Sequence, residues 1–355
     1  MAWAVNKYGY INAKLRAQLS KRLRDDQFQS MISAGSLTEA LQVLDGTEYS
    51  SSFGIYHETG DIKMVELELI RHEISVLGKL RSSVDEDVTG IIDSFLERYE
   101  IETLKDALRY WFDRTVRKRD VEDNVLYMLR GPILNDIDFS AIVYAGSVEE
   151  VAEQLEGTPY QVVIRESLPA VTETGSLFHV ECRLENRYFQ RIAQKIAGMK
   201  GRDREIAEHI IGIQVDMENI TRLSRYVRFF REGGGCDTEM FLAGGKNIDA
   251  GELQTASESA SPQDFVKNII STYYGASRLI DGTGRERQDN FFLVLLSVLQ
   301  DIFLTEVTKL LKGYPFTIGI VLAYCFMKQH ELKKIMSVLN AKYYGVDETR
   351  MGELV

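Results

Sequence analysis

At 355 residues and 45% hydrophobic content the chain has ample material for a large buried core, and its length favours two or three domains. Only five prolines occur, among many Leu, Glu, Lys and Arg, which predicts a mostly helical protein. A formal net charge of -11 without a strongly basic stripe excludes nucleic acid as a natural partner.

In chain order, the start Met1 to Lys7 lacks the charged-then-apolar plan of a signal peptide. Tyr10 to Arg16 reads as an opening helix. Ala34-Gly35-Ser36-Leu37-Thr38-Glu39 then begins a segment that closes at Leu44-Asp45-Gly46-Thr47-Glu48-Tyr49. Both signatures return as Ala145-Gly146-Ser147-Val148-Glu149-Glu150 and Leu155-Glu156-Gly157-Thr158-Pro159-Tyr160. The offset is 111 positions from Ala34 to Ala145 and again from Tyr49 to Tyr160. A constant offset marks a structural unit used repeatedly, with a Ser-capped short helix inside it.

Each closing signature is followed by a long helical stretch. The first runs from Asp61 to Leu80, with Val65, Leu69, His72 and Val76 at helical spacing. The others run from Leu177 to Met199 and from Asp289 to Leu311. A further signature helix, Glu100 to Tyr110, matches Asp216 to Tyr226 in register. Its apolar stripe is Ile101, Leu104, Leu108 and Trp111, and Glu102 and Asp106 precede Arg109 in the favourable direction. A fainter third copy of the closing unit has Ser261 as N-cap, Pro262 at the first helical position, Asp264, and an end at Thr272 to Tyr274. Gly233 to Gly235, Gly244-Gly245 and Ala276 to Arg287 read as loops. Glu331 to Leu339 looks like the start of another unit. The only β-like run, Val162-Val163-Ile164, is too short to support a sheet.

The expected organisation is three copies of one helical module: residues 1–84, 85–200 and 201–330, with 331–355 a C-terminal helix packing back on the bundle. Two apolar runs, Phe291 to Leu299 and Phe316 to Met327, fall short of the roughly 18–20 residues of a membrane span and read as buried core helices. Cys182, Cys236 and Cys325, odd in number and widely spaced, read as reduced thiols of an intracellular protein.

No catalytic constellation emerges. The five histidines, His57, His72, His179, His209 and His330, make no metal-ligand spacing with one another or with cysteine, so no metal and no cofactor is expected. Glu205 and His209 read as a structural pair one helical turn apart. Leu242 to Asn247 lacks the phosphate-loop spacing, and Asp281 to Arg285 follows no strand. The informative polar residues are Glu102, Arg109, Glu218, Asn219, Arg222, Arg225 and Arg228 on the two signature helices. They either tie each module together or line a shared surface that meets a partner. The basic series Arg222, Arg225, Arg228 and Arg231 suits an acidic partner surface.

Taken in order and spacing, Tyr99 to Leu104, Asp216 to Ile220, Gly157-Thr158-Pro159-Tyr160, and the tail Pro315 to Gly319 with Lys328 and Glu331 to Ile335 resemble the C subunit of A/V-type ATPases, equivalent to the d subunit of the vacuolar pump. The resemblance covers essentially the whole chain, departing at Thr103, where the family commonly carries the Asn kept at Asn219. It implies an all-α fold of three similar bundles around a pseudo-threefold axis, forming a funnel. It also implies a non-catalytic subunit at the cytoplasmic face of the membrane, peripheral and without a span of its own. The implied partners are the central-stalk subunits of the catalytic head, the proteolipid ring, and the membrane stator subunit. On the residues alone, a helical-repeat adaptor in another assembly remains the alternative, with an all-helical enzyme behind it.

Overall fold

The computed structural model describes residues 2–229, 240–258, 267–268, 270–273 and 288–346. Among them the fold is all-α, with no strand. The helices are α1 (Ala2–Leu19), α2 (Asp25–Ser33), α3 (Leu37–Gln42), α4 (Ser50–Thr59), α5 (Ile62–Arg81), α6 (Glu86–Thr115), α7 (Glu122–Val125) and α8 (Phe139–Tyr144). They continue as α9 (Val148–Glu153), α10 (Gln161–Ser167), α11 (Val171–Thr174), α12 (Phe178–Ala197), α13 (Gly201–Phe229), α14 (Ala250–Glu258), α15 (Gln288–Lys312) and α16 (Gly319–Tyr343). The three long stretches read from the sequence are α5, α12 and α15, and the two signature helices lie inside α6 and α13. Val162 to Ile164 belongs to α10, so its β-branched residues are overridden by helical packing, with Val163 and Ile164 buried.

The repeat is reproduced bond for bond. Ser36 caps α3 by accepting from the Glu39 amide at 3.2 Å, and Ser147 caps α9 by accepting from the Glu150 amide at 3.2 Å. Each glutamate reaches back to the amide before the cap, Gly35 at 2.8 Å and Gly146 at 2.6 Å. The closing turn needs a left-handed residue, supplied by Gly46 at φ 76° and Gly157 at φ 75°. Thr47 and Thr158 donate their hydroxyls to the Leu44 and Leu155 carbonyls at 2.6 and 2.7 Å. Tyr49 and Tyr160 follow, both buried. Of the third copy, Ser261, Pro262, Asp264 and Tyr274 lie outside the described residues, as do Cys236, Gly233 to Gly235, Gly282 and Gly284.

The chain forms two compact units: Met1–Gly9 with Asn186–Phe326, and Tyr10–Glu185 with Met327–Val355. In the first, α13 packs on α14 and α15. There Asp203 accepts from the Tyr8 hydroxyl at 2.6 Å and from the Ile318 amide at 2.9 Å, tying both flanks of the unit to α13. In the second, α4 and α6 pack on α5, and α8 packs on α6. One hydrophobic cluster joins Phe28, Met31, Leu41, Leu44, Val65 and Leu69 to Leu332, Ile335, Val338 and Leu339 of α16. The carboxyl-terminal half of that helix is therefore core for residues near the amino terminus. Among the described residues no helix is long and apolar enough to cross a membrane.

Candidate functional site

Three carboxylates on long helices are fully buried: Glu100, Glu331 and Asp216. Glu100 on α6 accepts from the amides of Leu134 at 2.9 Å and Asn135 at 2.8 Å, from the Asn135 side chain at 2.5 Å, and from the Tyr160 hydroxyl at 2.8 Å. Glu331 on α16 accepts from the Leu23 amide at 2.5 Å and the Tyr49 hydroxyl at 2.9 Å. Leu23 and Leu134, like Tyr49 and Tyr160, stand 111 positions apart. Each carboxylate thus latches a loop and a closing tyrosine to a long helix, at the cost of its own desolvation, which several donors offset. Asp216 on α13 does the corresponding work for its loop, accepting from the Asn247 amide at 2.8 Å. A side chain at Gly245 would collide with that carboxylate and with the Ile248 carbonyl. The close approach explains this glycine without any phosphate-binding role.

Around Glu331 the core is charged. The Lys328 ammonium donates to Glu331 and Glu48, both at 2.6 Å, and to the Tyr49 hydroxyl at 2.5 Å. Lys328 and Glu331 side chains are 1% and 0% exposed, so the pair is fully desolvated. Burial opposes ionisation of Glu48, but His72 and Lys328 beside it hold its carboxyl below the ordinary range. Burial, then the carboxylates of Glu331 and Glu48, push the Tyr49 phenol up and keep it a donor. Burial also pushes the Glu73 carboxyl up to about 7, against the pull of Lys328 and His72. Neither Glu73 carboxyl oxygen has a hydrogen-bond partner among the described residues.

The residues singled out in the sequence divide by depth. Glu102 and Arg109 sit half-exposed on α6 and do not pair with each other. Glu102 takes Lys105 at 3.1 Å, while Arg109 takes Asp106 at 2.9 Å and Glu181 of α12 at 2.8 Å. Lys105 bridges onward to Glu185 of α12 at 2.8 Å. Burial works against both cations, yet their carboxylate partners hold them above their ordinary range. On α13, Asn219 is buried and grips Leu242, giving its side-chain amide to the carbonyl at 2.9 Å and accepting the amide at 2.8 Å. Arg222 is buried too, donating to the Met240 carbonyl at 2.6 Å and to Asn186 at 2.8 Å. Glu218 is half-buried and Arg225 exposed. The Arg228 side chain and the whole of Arg231 lie outside the described residues. His209 turns to Glu306 at 3.4 Å and to Lys246, not to Glu205.

Tyr49, Glu48, Lys328 and Glu331 were not singled out from the sequence as a site. The signal was present: Lys328 and Glu331 precede Leu332 as Glu97 and Glu100 precede Ile101. No group of three or more His, Cys, Asp or Glu arranged to hold a metal occurs among the described residues.

Repeated helical modules whose polar groups are turned inward onto their own loops define a class, the modular helical scaffold. The chain belongs to the ATP synthase (C/AC39) subunit family, whose model matches residues 11–354. It is 23% identical over 339 residues to the C subunit of the A-type ATP synthase of Methanosphaera stadtmanae, covering 94% of this chain and 84% of that one. It is also 23% identical over 349 residues to the corresponding A-type ATP synthase chain of Thermococcus gammatolerans, covering 98% and 89%. The Haloferax volcanii counterpart is 21% identical over 342 residues, covering 95% and 94%. The chain is accordingly a non-catalytic subunit of a rotary ATP synthase, and its partners lie within that complex.

Proposed function

We propose that the chain couples the central stalk of the catalytic head to the proteolipid ring of the membrane rotor, from a peripheral position at the cytoplasmic face, in proton or sodium transport. Three similar bundles in a funnel would offer the stalk a hollow and the ring a rim. The observation that carries the proposal is the repeated latch. Glu100 with Tyr160, and Glu331 with Tyr49, fix loops to long helices through buried hydrogen bonds. A torque-bearing part must resist internal slip, and close-packed helices cross-linked by satisfied buried polar groups do so. Partner contact falls to the exposed and half-exposed residues Glu102, Arg109, Glu218 and Arg225, together with Arg228. Asn219 and Arg222 hold the chain's own loop, so their replacement reports on folding.

Affinity capture of the tagged chain from detergent-solubilised membranes tests the proposal. Recovery of stalk subunits and proteolipid ring is expected, with Arg225→Glu weakening stalk recovery about tenfold by loss of an interfacial charge. A folded chain that recovers neither would end the coupling reading and favour an adaptor elsewhere.

A further inference from the structure

The two signature helices carry different residues at two matched positions, and a cleft stands where they differ. On α13, Asn219 grips the Leu242 backbone and Arg222, 5% exposed, donates its guanidinium to the Met240 carbonyl at 2.6 Å. In the register that matches Asp216 with Glu100, the corresponding residues of α6 are Thr103 and Asp106. The corresponding loop residue is Leu129, two before left-handed Gly131 at φ 87°, as Leu242 is two before Gly244 at φ 90°. Thr103 turns its hydroxyl back to the Tyr99 carbonyl at 2.8 Å within its own helix. A carboxylate at 106 has no proton to give a carbonyl. Between α5, α6 and this loop lies an open cleft of about 300 Å³, lined by Thr103, Asp106, Tyr99, Tyr110 and Tyr127.

We propose that this cleft receives an arginine side chain from a neighbouring subunit of the complex, in the position that Arg222 fills from within its own module. Size, charge and shape agree. The cleft wall carries the carboxylates of Glu66, Glu102 and Asp106 and the ammonium of Lys63, while Lys105 and Arg109, which pair with Glu102 and Asp106, are shared with Glu185 and Glu181 of α12. Tyrosine faces suit a planar guanidinium, which stacks on rings while its fork meets a carboxylate. Burial and the neighbouring Glu102 raise the half-exposed Asp106 carboxyl against the pull of Arg109 and Lys105, and Arg109, at 2.9 Å, is shared with Glu181. With an acid at the position matched to Arg222, α6 has no guanidinium of its own at that place, and the cleft is left open to one from outside.

The inference deepens the coupling reading and rests on the chain sitting in the complex. The intact chain is titrated with acetyl-arginine amide by saturation-transfer NMR, with the uncharged acetyl-citrulline amide as control. A saturable signal is expected for arginine and one about tenfold weaker for citrulline, the ratio set by loss of a charged hydrogen bond. The double variant Thr103→Asn, Asp106→Arg fills the cleft from its own chain, so it should abolish the probe signal, raise the thermal midpoint, and lower retention in the complex. Asp106→Asn, which keeps the shape, should weaken the probe about tenfold with the fold unchanged. No saturable arginine signal, equal signals from both probes, or a double variant retained in the complex as well as the wild type overturns the inference. Absence of the wild type itself from the complex would instead sink the coupling reading.

Discussion

The first and second latches share one geometry but close very different stretches of chain. In the second, Glu100 reaches backbone 34 positions away and a tyrosine 60 away. In the first, Glu331 reaches backbone 308 positions away and a tyrosine 282 away. Closing the longer loop costs about 2 kcal/mol more in chain entropy by the logarithmic scaling of loop closure. The first latch also carries the ions that the second lacks, Lys328 and Glu48, where the second has Glu97 and Pro159 at the matched positions. Where the chain's two ends must meet, then, the same hydrogen bonds are backed by a buried ion network, and the carboxyl-terminal helix becomes part of the amino-terminal core.

The comparison breaks most readily at Lys328. Lys328→Met leaves Glu331 and Glu48 without their cation in a desolvated core and should cost about 3–5 kcal/mol in denaturant unfolding. Lys105→Met also removes a buried cation, but its partners Glu102 and Glu185, 43% and 23% exposed, can be rehydrated, so it should cost less, about 1–2 kcal/mol. Equal losses would mean that the first core has no special dependence on its ions. Next comes Glu73. Its carboxyl is raised from 4.5 to about 7 by burial, so the folded state holds its proton longer than the unfolded one. The contribution of Glu73 to stability is therefore fully present below pH 4.5 and is lost as pH rises through 7. Glu73→Gln should remove that loss, gaining about 3 kcal/mol at pH 8 and nothing at pH 4. A gain independent of pH would contradict this assignment.

Smaller again is the tyrosine pair. Tyr49→Phe and Tyr160→Phe each remove one buried hydroxyl donor, at about 1–2 kcal/mol. The Tyr49 change should be the larger, because Lys328 also loses a partner. Arg109→Ala, on the half-exposed face of α6, should move the thermal midpoint least, with about 0.5 kcal/mol lost.

What the sequence made legible is what local chemistry dictates. The Ser36 and Ser147 caps, the left-handed Gly46 and Gly157, and the threonine turns each demand a residue type at a fixed place. They therefore recur at 111 positions. The long helices α5, α12 and α15 were visible through their apolar periodicity. The Tyr49–Glu331 contact was not, because no local spacing announces a partner 282 positions away. Arg222 read as one of four cations on a basic face. Its burial is decided by the 240–242 loop lying across it, which helix periodicity does not encode. The pairing of Glu102 with Lys105 instead of Arg109 is likewise set by α12, whose Glu181 and Glu185 divide the two cations between them.

The central claim is that the chain transmits torque. Membranes depleted of this chain and then reconstituted with it, assayed for ATP hydrolysis and ATP-driven ion transport together, test that claim most directly. The account predicts hydrolysis without transport in the depleted membranes, and transport restored by the wild-type chain. Ion transport at the full rate without the chain would contradict it.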